Sequence, residues 1–242
     1  MKLKIEAASG IGSREFQEDT FVVGKWPIES LPIQTVPPFF LDTSNNKAPV
    51  LTAVLDGVGS CSYAALGSAI AGSKIQSAFY AEEAWFSGES GSPDLVEQKL
   101  KNACMDACGK LSLLNRSFGG SIEAATTITA AAFSERQLHL WALGDSPAYL
   151  YRNHVLHPLF EPMCEGHRLL AFAGGSNTDF TASTYDLAVG DTITLSTDGI
   201  SQKVLFWALR LGMSAQAIVR LSTAFRRYSD NATIIKIKVL EE

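Results

Sequence analysis

Short runs of strand-forming residues, many of them β-branched or aromatic and bounded by Gly, Asn, Asp or Ser, occur at about 2–8, 19–24, 50–55, 122–133, 137–143, 147–152, 180–187, 191–197 and 232–240. The opening Met1–Glu6 alternates charged and apolar side chains, the pattern of a half-exposed first strand. Two long helical patterns, Tyr63–Phe86 and Asp94–Asn115, are separated by the turn-rich Ser87–Pro93, and a shorter pair is predicted near 201–211 and 214–227. Gln137–Leu143 and Pro147–Tyr151 flank Gly144-Asp145-Ser146, which reads as a hairpin turn. Strands grouped around a central helical pair predict an α+β layered domain rather than an alternating doubly wound sheet. With no internal repeat and no linker, residues 1–242 read as a single domain. Two irregular stretches, Lys25–Pro49 with five prolines and His157–Asp179, are long enough to suggest function.

The position of the acids adds chemistry to this outline. Arg14-x-x-x-Glu18-Asp19 opens the series, Asp56-Gly57 follows Val50–Leu55, and Gly144-Asp145-Ser146 follows Leu138–Leu143. Asp198-Gly199 follows Asp191–Thr197, and Asp230-Asn231 precedes Ala232–Leu240. A carboxylate at the mouth of a buried strand is opposed by desolvation and by neighbouring carboxylates unless something binds it. Several together suggest one shared cation site, and oxygen donors alone suit Mg²⁺ or Mn²⁺ better than zinc or copper. Each acid also has a plainer reading: Glu18-Asp19 as a solvated turn, Asp145 as the organiser of a hairpin, Asp230-Asn231 as a turn pair. Asp191, just after Gly190, reads as a turn residue outside the site.

Composition narrows the function classes. With 46% hydrophobic and 19% charged residues the chain reads as a soluble globule. Its net charge is −5, and Arg226-Arg227 is the one adjacent basic pair, so no basic face offers itself to nucleic acid. No apolar stretch approaches the roughly 20 residues that span a bilayer, and the start lacks the apolar segment of a signal peptide. A cytoplasmic location without membrane partners is the resulting expectation. Cys104 and Cys108 lie four apart on a helical apolar face with Val96, Leu100, Ala103, Ala107, Leu111 and Leu114. They read as buried free thiols, with a metal pair as the alternative.

Taken in order, these motifs resemble those of the metal-dependent protein phosphatases of the protein phosphatase 2C family. The resemblance rests on Arg14-Glu-Phe-Gln-Glu-Asp19, Leu51-Thr-Ala-Val-Leu-Asp-Gly-Val-Gly59, Ala125-Thr-Thr127, Ala142-Leu-Gly-Asp-Ser146 with Ala148-Tyr-Leu-Tyr151, Gly190–Gly199 and Asp230-Asn-Ala-Thr233. It implies a bacterial-like catalytic domain with a four-layer αββα sandwich, two antiparallel sheets covered by helices on both outer faces. It also implies two Mn²⁺ or Mg²⁺ ions and a phosphorylated protein substrate, a kinase or a kinase target. Asp56 would bridge the ions; Asp198 and Asp230 would complete the shell of the first ion. Glu18 and the Gly57 carbonyl would serve the second ion, with Asp19 holding a water of its shell. Asp145 matches a third, weaker site of bacterial relatives, and Arg14 would grip the substrate phosphate, as a paired-donor guanidinium suits.

The departures are specific. Val58 stands where many members carry a histidine thought to protonate the leaving alkoxide. Pro147 replaces an arginine that often follows Gly-Asp-Ser, and the flap expected around His157–Asp179 is shortened. His139 reads as a packed strand residue; His154, His157 and His167 read as solvated, with substrate contact open for the last two. Lys25–Pro49 reads either as a surface loop covering sheet edges or as a docking element built on Pro37-Pro-Phe-Phe-Leu41. Three functions follow: a phosphoserine/phosphothreonine protein phosphatase, a degenerate domain acting as a binding or sensing module, or a small-molecule phosphoesterase. Retention of Glu18, Asp19, Asp56, Asp198, Asp230 and Arg14 favours an enzyme.

Overall fold

In β4 (Val50–Leu55), all six side chains are buried, yet they serve two different cores. Val50 and Val54 enter one apolar cluster, while Leu51, Ala53 and Leu55 enter another, because successive side chains of a strand point to opposite faces. A strand covered on both faces belongs to an inner layer. The computed structural model describes residues 1–25, 35–42 (backbone alone), 49–81, 92–134, 136–166, 168–224 and 229–241.

Beside β4 run β2 (Thr20–Val23), β5 (Ile128–Ser134), β6 (Gln137–Leu143) and β11 (Thr181–Asp186), forming a sheet in the order β11-β6-β5-β4-β2. The other large sheet is β3-β1-β13-β12-β7-β8. Its strands are β3 (Thr35–Asp42), β1 (Lys2–Gly10), β13 (Ala232–Glu241), β12 (Thr192–Ser196), β7 (Ala148–Arg152) and β8 (Val155–Pro158). All their pairings are antiparallel. Between the sheets lies a core including Leu3, Ile5, Val54, Phe133, Leu140, Ile235 and Ile237. Helices α1 (Ala64–Phe79) and α2 (Pro93–Ser117) pack Ile75, Phe79, Leu100 and Leu111 on one outer face. Helices α3 (Gln202–Arg210) and α4 (Ala215–Ala224) pack Leu205, Leu209 and Ile218 on the other. The expected αββα sandwich is the observed one.

Local chemistry sets the helix starts. The Ser92 hydroxyl accepts from Leu95 N ahead of Pro93 and Asp94, and Ser201 accepts from Val204 N, so both serve as N-caps. At α4, Ser214 Oγ accepts from Ala217 N as the N-cap, and a further bond comes from another layer: Glu6 Oε2, on β1, accepts from Ala215 N at 3.1 Å. Burial pushes Glu6 up, but Lys4, the Ala215 N–H and Lys236 outweigh it and hold the carboxyl below its usual range.

Several expectations need correction. Gly144-Asp145-Ser146 is not a hairpin: β6 already pairs with β5 and β11, so β7 crosses to the other sheet and pairs with β12 and β8. Gly144, at φ +108, makes that corner where a Cβ would meet Thr127 Cγ2 at 2.7 Å. The hairpin of this region is β7–β8, turned by Asn153 and His154, both at positive φ. The strand predicted from residue 122 starts only at Ile128, since Thr126 bridges to Gly57 and Ala173 instead. Helix α1 stops at Phe79, where the Tyr80 hydroxyl accepts from Leu51 N and donates to Pro49 O; 82–86 lie outside the described residues.

The 157–179 stretch carries the end of β8 and a two-residue ribbon, β9 (Cys164–Glu165) with β10 (Arg168–Leu169). Lys25–Pro49 contributes β3 to the edge beside β1; Pro37 and Pro38 fall at the register shift, where the absent N–H groups are tolerated. Residues 26–34 and 43–48 of that stretch, Ser87–Gly91, His167 and Arg226-Arg227 lie outside the described residues. Asp191 is more than a turn residue: it is buried, accepts from Ala188 N, and takes two bonds from Arg152 at 2.8 and 2.6 Å. His139 packs as expected, 3.3 Å from Ser134 Oγ and 3.2 Å from Thr184 Oγ1, and His154 and His157 are exposed. Cys104 and Cys108 are buried free thiols; burial pushes both up, Cys108 to about 12. Among the described residues no helix is long and apolar enough to cross a membrane.

Candidate metal-binding active site

The acidic motifs meet at one end of the sandwich because each lies at a strand terminus or in the loop beside one. Asp56 directly follows β4, where its N–H donates to Thr127 Oγ1 at 3.0 Å and its carbonyl accepts from Thr127 N and Thr126 Oγ1. Asp198 follows β12 by two residues, and Asp230 precedes β13 by two. Gly199 allows these turns to touch, since a Cβ there would sit 1.9 Å from Asn231 O.

Asn231 sews the loop carrying Arg14 and Glu18 onto β13. Its Nδ2 donates to the carbonyls of Ile11 and Phe16, and its Oδ1 accepts from Glu18 N at 2.7 Å. The Glu18 carbonyl in turn accepts from Gly57 N and the Ser68 hydroxyl. Asp19 is buried, and its Oδ2 accepts from Thr197 Oγ1 at 2.9 Å and Thr233 Oγ1 at 2.7 Å. Its Oδ1 is buried with no hydrogen-bond partner.

Electrostatics confirm the gathering. Burial pushes the Asp56 carboxyl far up, and Asp19, Asp198, Asp145 and Asp230 add to the rise. Burial also raises Asp19 to about 7 against the pull of Thr233 and Thr197, with Asp198 and Asp230 adding. Asp145 rises to about 6 through burial and Asp198, and Glu18 rises through burial against the opposing pull of Arg14. All the acids singled out from the sequence therefore share one field. A buried polar atom without a partner, among carboxylates that resist ionising, fits a cation-binding site made of hard oxygen donors.

Two features differ from the expected arrangement. Among the described residues, no three acidic, histidine or cysteine side chains converge closely enough to form an ion shell. Arg14, expected to face phosphate, holds Asp230 through Nε–Oδ1 at 2.7 Å and Nη2–Oδ2 at 2.6 Å. Both side chains are well exposed, so solvent weakens the pair and an ion and a phosphate can compete for its two halves. Glu18 lies alongside: a Cβ on Gly59 would be 3.3 Å from Glu18 Oε2 and 3.9 Å from Arg14 Nη1.

Thr197, Thr233, Asn231 and Ser68 escaped the sequence reading as supporting residues. Three of them stand inside the quoted motifs, one to three positions from an acid, and that adjacency was the available signal. A groove of about 440 Å³ between the β7–β8 turn and α3 is lined by His154, Leu156, Lys203, Phe206 and Trp207 and by none of the site acids.

The family model for protein phosphatase 2C matches residues 40–232. The chain belongs to the protein phosphatase 2C family. Membership places it among the serine/threonine protein phosphatases. Arg14, Glu18 and Asp19 precede the matched stretch, so their position beside Asp56 is a finding of the fold. Three solved structures illustrate the likeness. The catalytic domain of the serine threonine protein phosphatase PstP in complex with two manganese ions aligns over 100% of both chains, at 20% identity and TM-score 0.68. PppA, a regulatory component of the T6SS in Pseudomonas aeruginosa, aligns over 98% of both chains at 17% and 0.72. The PPM Ser-Thr phosphatase MsPP from Mycobacterium smegmatis, in complex with cacodylate, aligns over 97% of both at 19% and 0.68. At these identities the likeness establishes the fold. No curated protein matches the chain.

Proposed function

We propose that this member of the protein phosphatase 2C family is an active, Mn²⁺- or Mg²⁺-dependent phosphoserine/phosphothreonine protein phosphatase with two ions. The observation that carries the reading is the buried, unpartnered Asp19 Oδ1 in the shared field of Asp56, Asp198 and Asp230. Asp56, Asp198 and Asp230 would hold the first ion, and Asp56, Glu18 and the Gly57 carbonyl the second. A third, weaker ion would use Asp145. Two manganese ions in the PstP catalytic domain support this assignment by analogy of fold.

When bound, such a pair of ions would lower the pKa of water and so supply a hydroxide nucleophile for phosphoester hydrolysis. The protein's own part is binding and orientation. Arg14 offers Nε and Nη2 as a paired-donor fork, the geometry it now presents to Asp230, and phosphate oxygens suit the same fork. Substrates are phosphoproteins in the cytoplasm, kinases or kinase targets, with no nucleic-acid or membrane partner.

The test is Mn²⁺-dependent phosphate release from a phosphothreonine peptide, wild type against Asp198→Ala. Turnover by the wild type alone is the expected result. A wild type that binds Mn²⁺ but is as inert as the variant would hand the domain to the binding-module reading.

Val58 bears on rate. Its N–H donates to Ala125 O at 3.0 Å, fixing the loop, but valine has no proton for the leaving alkoxide. Val58→His should raise phosphoserine hydrolysis on the order of 10²-fold, the lower range of general acid catalysis, and aryl phosphate hydrolysis much less. Unchanged rates on both would show that proton delivery is not limiting.

A further inference from the structure

Asp19 is held from one side only. Thr197 and Thr233 both bond its Oδ2, while Oδ1 is equally buried and bonded to nothing. A purely structural buried carboxylate would have both oxygens satisfied.

Proton positions around the clamp are fixed by the surrounding bonds. Thr197 Oγ1 accepts from Thr233 N at 3.0 Å, so its single hydroxyl proton is free to point at Asp19. Thr233 Oγ1 spends its proton on Asp19, so Ser9 Oγ, 2.7 Å away, must be the donor between those two hydroxyls. Ser9 accepts in turn from Gln17 Nε2 at 2.6 Å. The relay Gln17 to Ser9 to Thr233 to Asp19 therefore runs in one direction, and Ser9 and Thr233 within it, like Thr197 beside it, are buried.

Location gives the clamp its meaning. Thr197 directly precedes Asp198, and Thr233 lies three residues after Asp230. The same two hydroxyls thus tie the strands bearing two first-ion candidates to a group assigned to the second ion.

We propose that Thr197 and Thr233 are positioning residues that fix Asp19 by Oδ2 and commit Oδ1 to a water in the shell of the second divalent ion. The proposal rests on the two-ion phosphatase reading above. Threonine suits the task because its branched Cβ restricts the hydroxyl's direction.

The experiment is a calorimetric Mn²⁺ titration of the full chain after EDTA stripping, for wild type and Val and Ser variants at positions 197 and 233, with melting curves in EDTA alongside. Thr197→Val and Thr233→Val should weaken the weaker Mn²⁺ event about 10–100-fold, the usual effect of removing a group that orients a ligand. The Ser variants should recover most of that loss. In an Asp19→Ala background the Val substitutions should change Mn²⁺ affinity no further. Equal affinity in wild type and Val variants overturns the clamp and leaves the phosphatase reading standing. Loss that serine does not restore, or that persists without Asp19, reduces the threonines to packing and also overturns it. A wild type that binds no Mn²⁺ removes the phosphatase reading itself, and the clamp with it. If Thr233→Val does not fold, the Thr197 pair carries the comparison.

Discussion

Asp56→Asn should abolish Mn²⁺-dependent phosphate release and, in the same protein, raise the melting temperature measured in EDTA. Both effects come from one carboxylate. Burial and four neighbouring acids oppose its ionisation, so without cations it is a source of repulsion at the rim of the site. Asparagine keeps the shape and removes the charge. If Asp56 holds metal as proposed above, its loss should lower kcat/KM at least about 10³-fold, the several kcal/mol that metal-assisted charge stabilisation supplies. The relieved repulsion should raise the metal-free Tm by about 2–6 °C, the yield of removing a strained functional group in a chain of this size. Activity that survives the substitution would sink the metal assignment. An unchanged Tm would mean that the acids do not burden the metal-free fold.

In EDTA, the melting temperature of the wild type should fall as pH rises from about 4 to about 7. The sign follows from proton binding. Asp19 and Asp145 have folded-state values raised to about 7 and about 6, against an ordinary value of 3.8. Between those limits the folded state holds more protons than the unfolded one, so stability declines with pH, and the raised Asp56 carboxyl adds to the decline. Glu6 acts in the opposite sense at the acid end, its lowered value adding stability as pH rises through the ordinary carboxylate range. The net decline should therefore be steepest at pH 5–7, above the range of Glu6. Saturating Mn²⁺ should reverse the trend, because ion binding requires deprotonated ligands and grows with pH. At 100 times its Kd, one ion adds about 2.7 kcal/mol, or about 5–10 °C here. Scanning fluorimetry across pH with and without Mn²⁺ checks both curves. A flat EDTA profile between pH 5 and 7 would contradict the raised values.

The layers were legible because burial on two faces leaves a plain trace, as in β4, where every position but Thr52 is apolar. The acids were legible because a carboxylate after an apolar run is conspicuous. What escaped depended on partners distant in sequence. Gly144 reads as a hairpin turn until β11 is seen to occupy the edge that β7 would need. Asp191 reads as a turn residue until Arg152, 39 positions away, is placed on it. The Arg14 pairing with Asp230 spans 216 positions and has no local signature. Hydroxyl residues such as Thr197 and Thr233 are ordinary strand residues by pattern, and only the fold turns both toward Asp19.

β1 lies against β13, with Ser9 opposite Thr233. A polypeptide leaving the ribosome therefore completes five of its six candidate acids, Glu18 through Asp198, before the strand that joins their two halves exists. Until Asp230 and Thr233 emerge, Arg14 has no carboxylate to hold, Asp19 lacks one of its two hydroxyls, and one edge of β1 is open. Pairing across so many residues closes late, since a long loop must be ordered before its contacts form. A product truncated anywhere before β13 lacks Asp230, Thr233 and the strand that pairs with β1, so the proposed phosphatase site would be incomplete in it, and a nascent domain would not act on its neighbours while still being made.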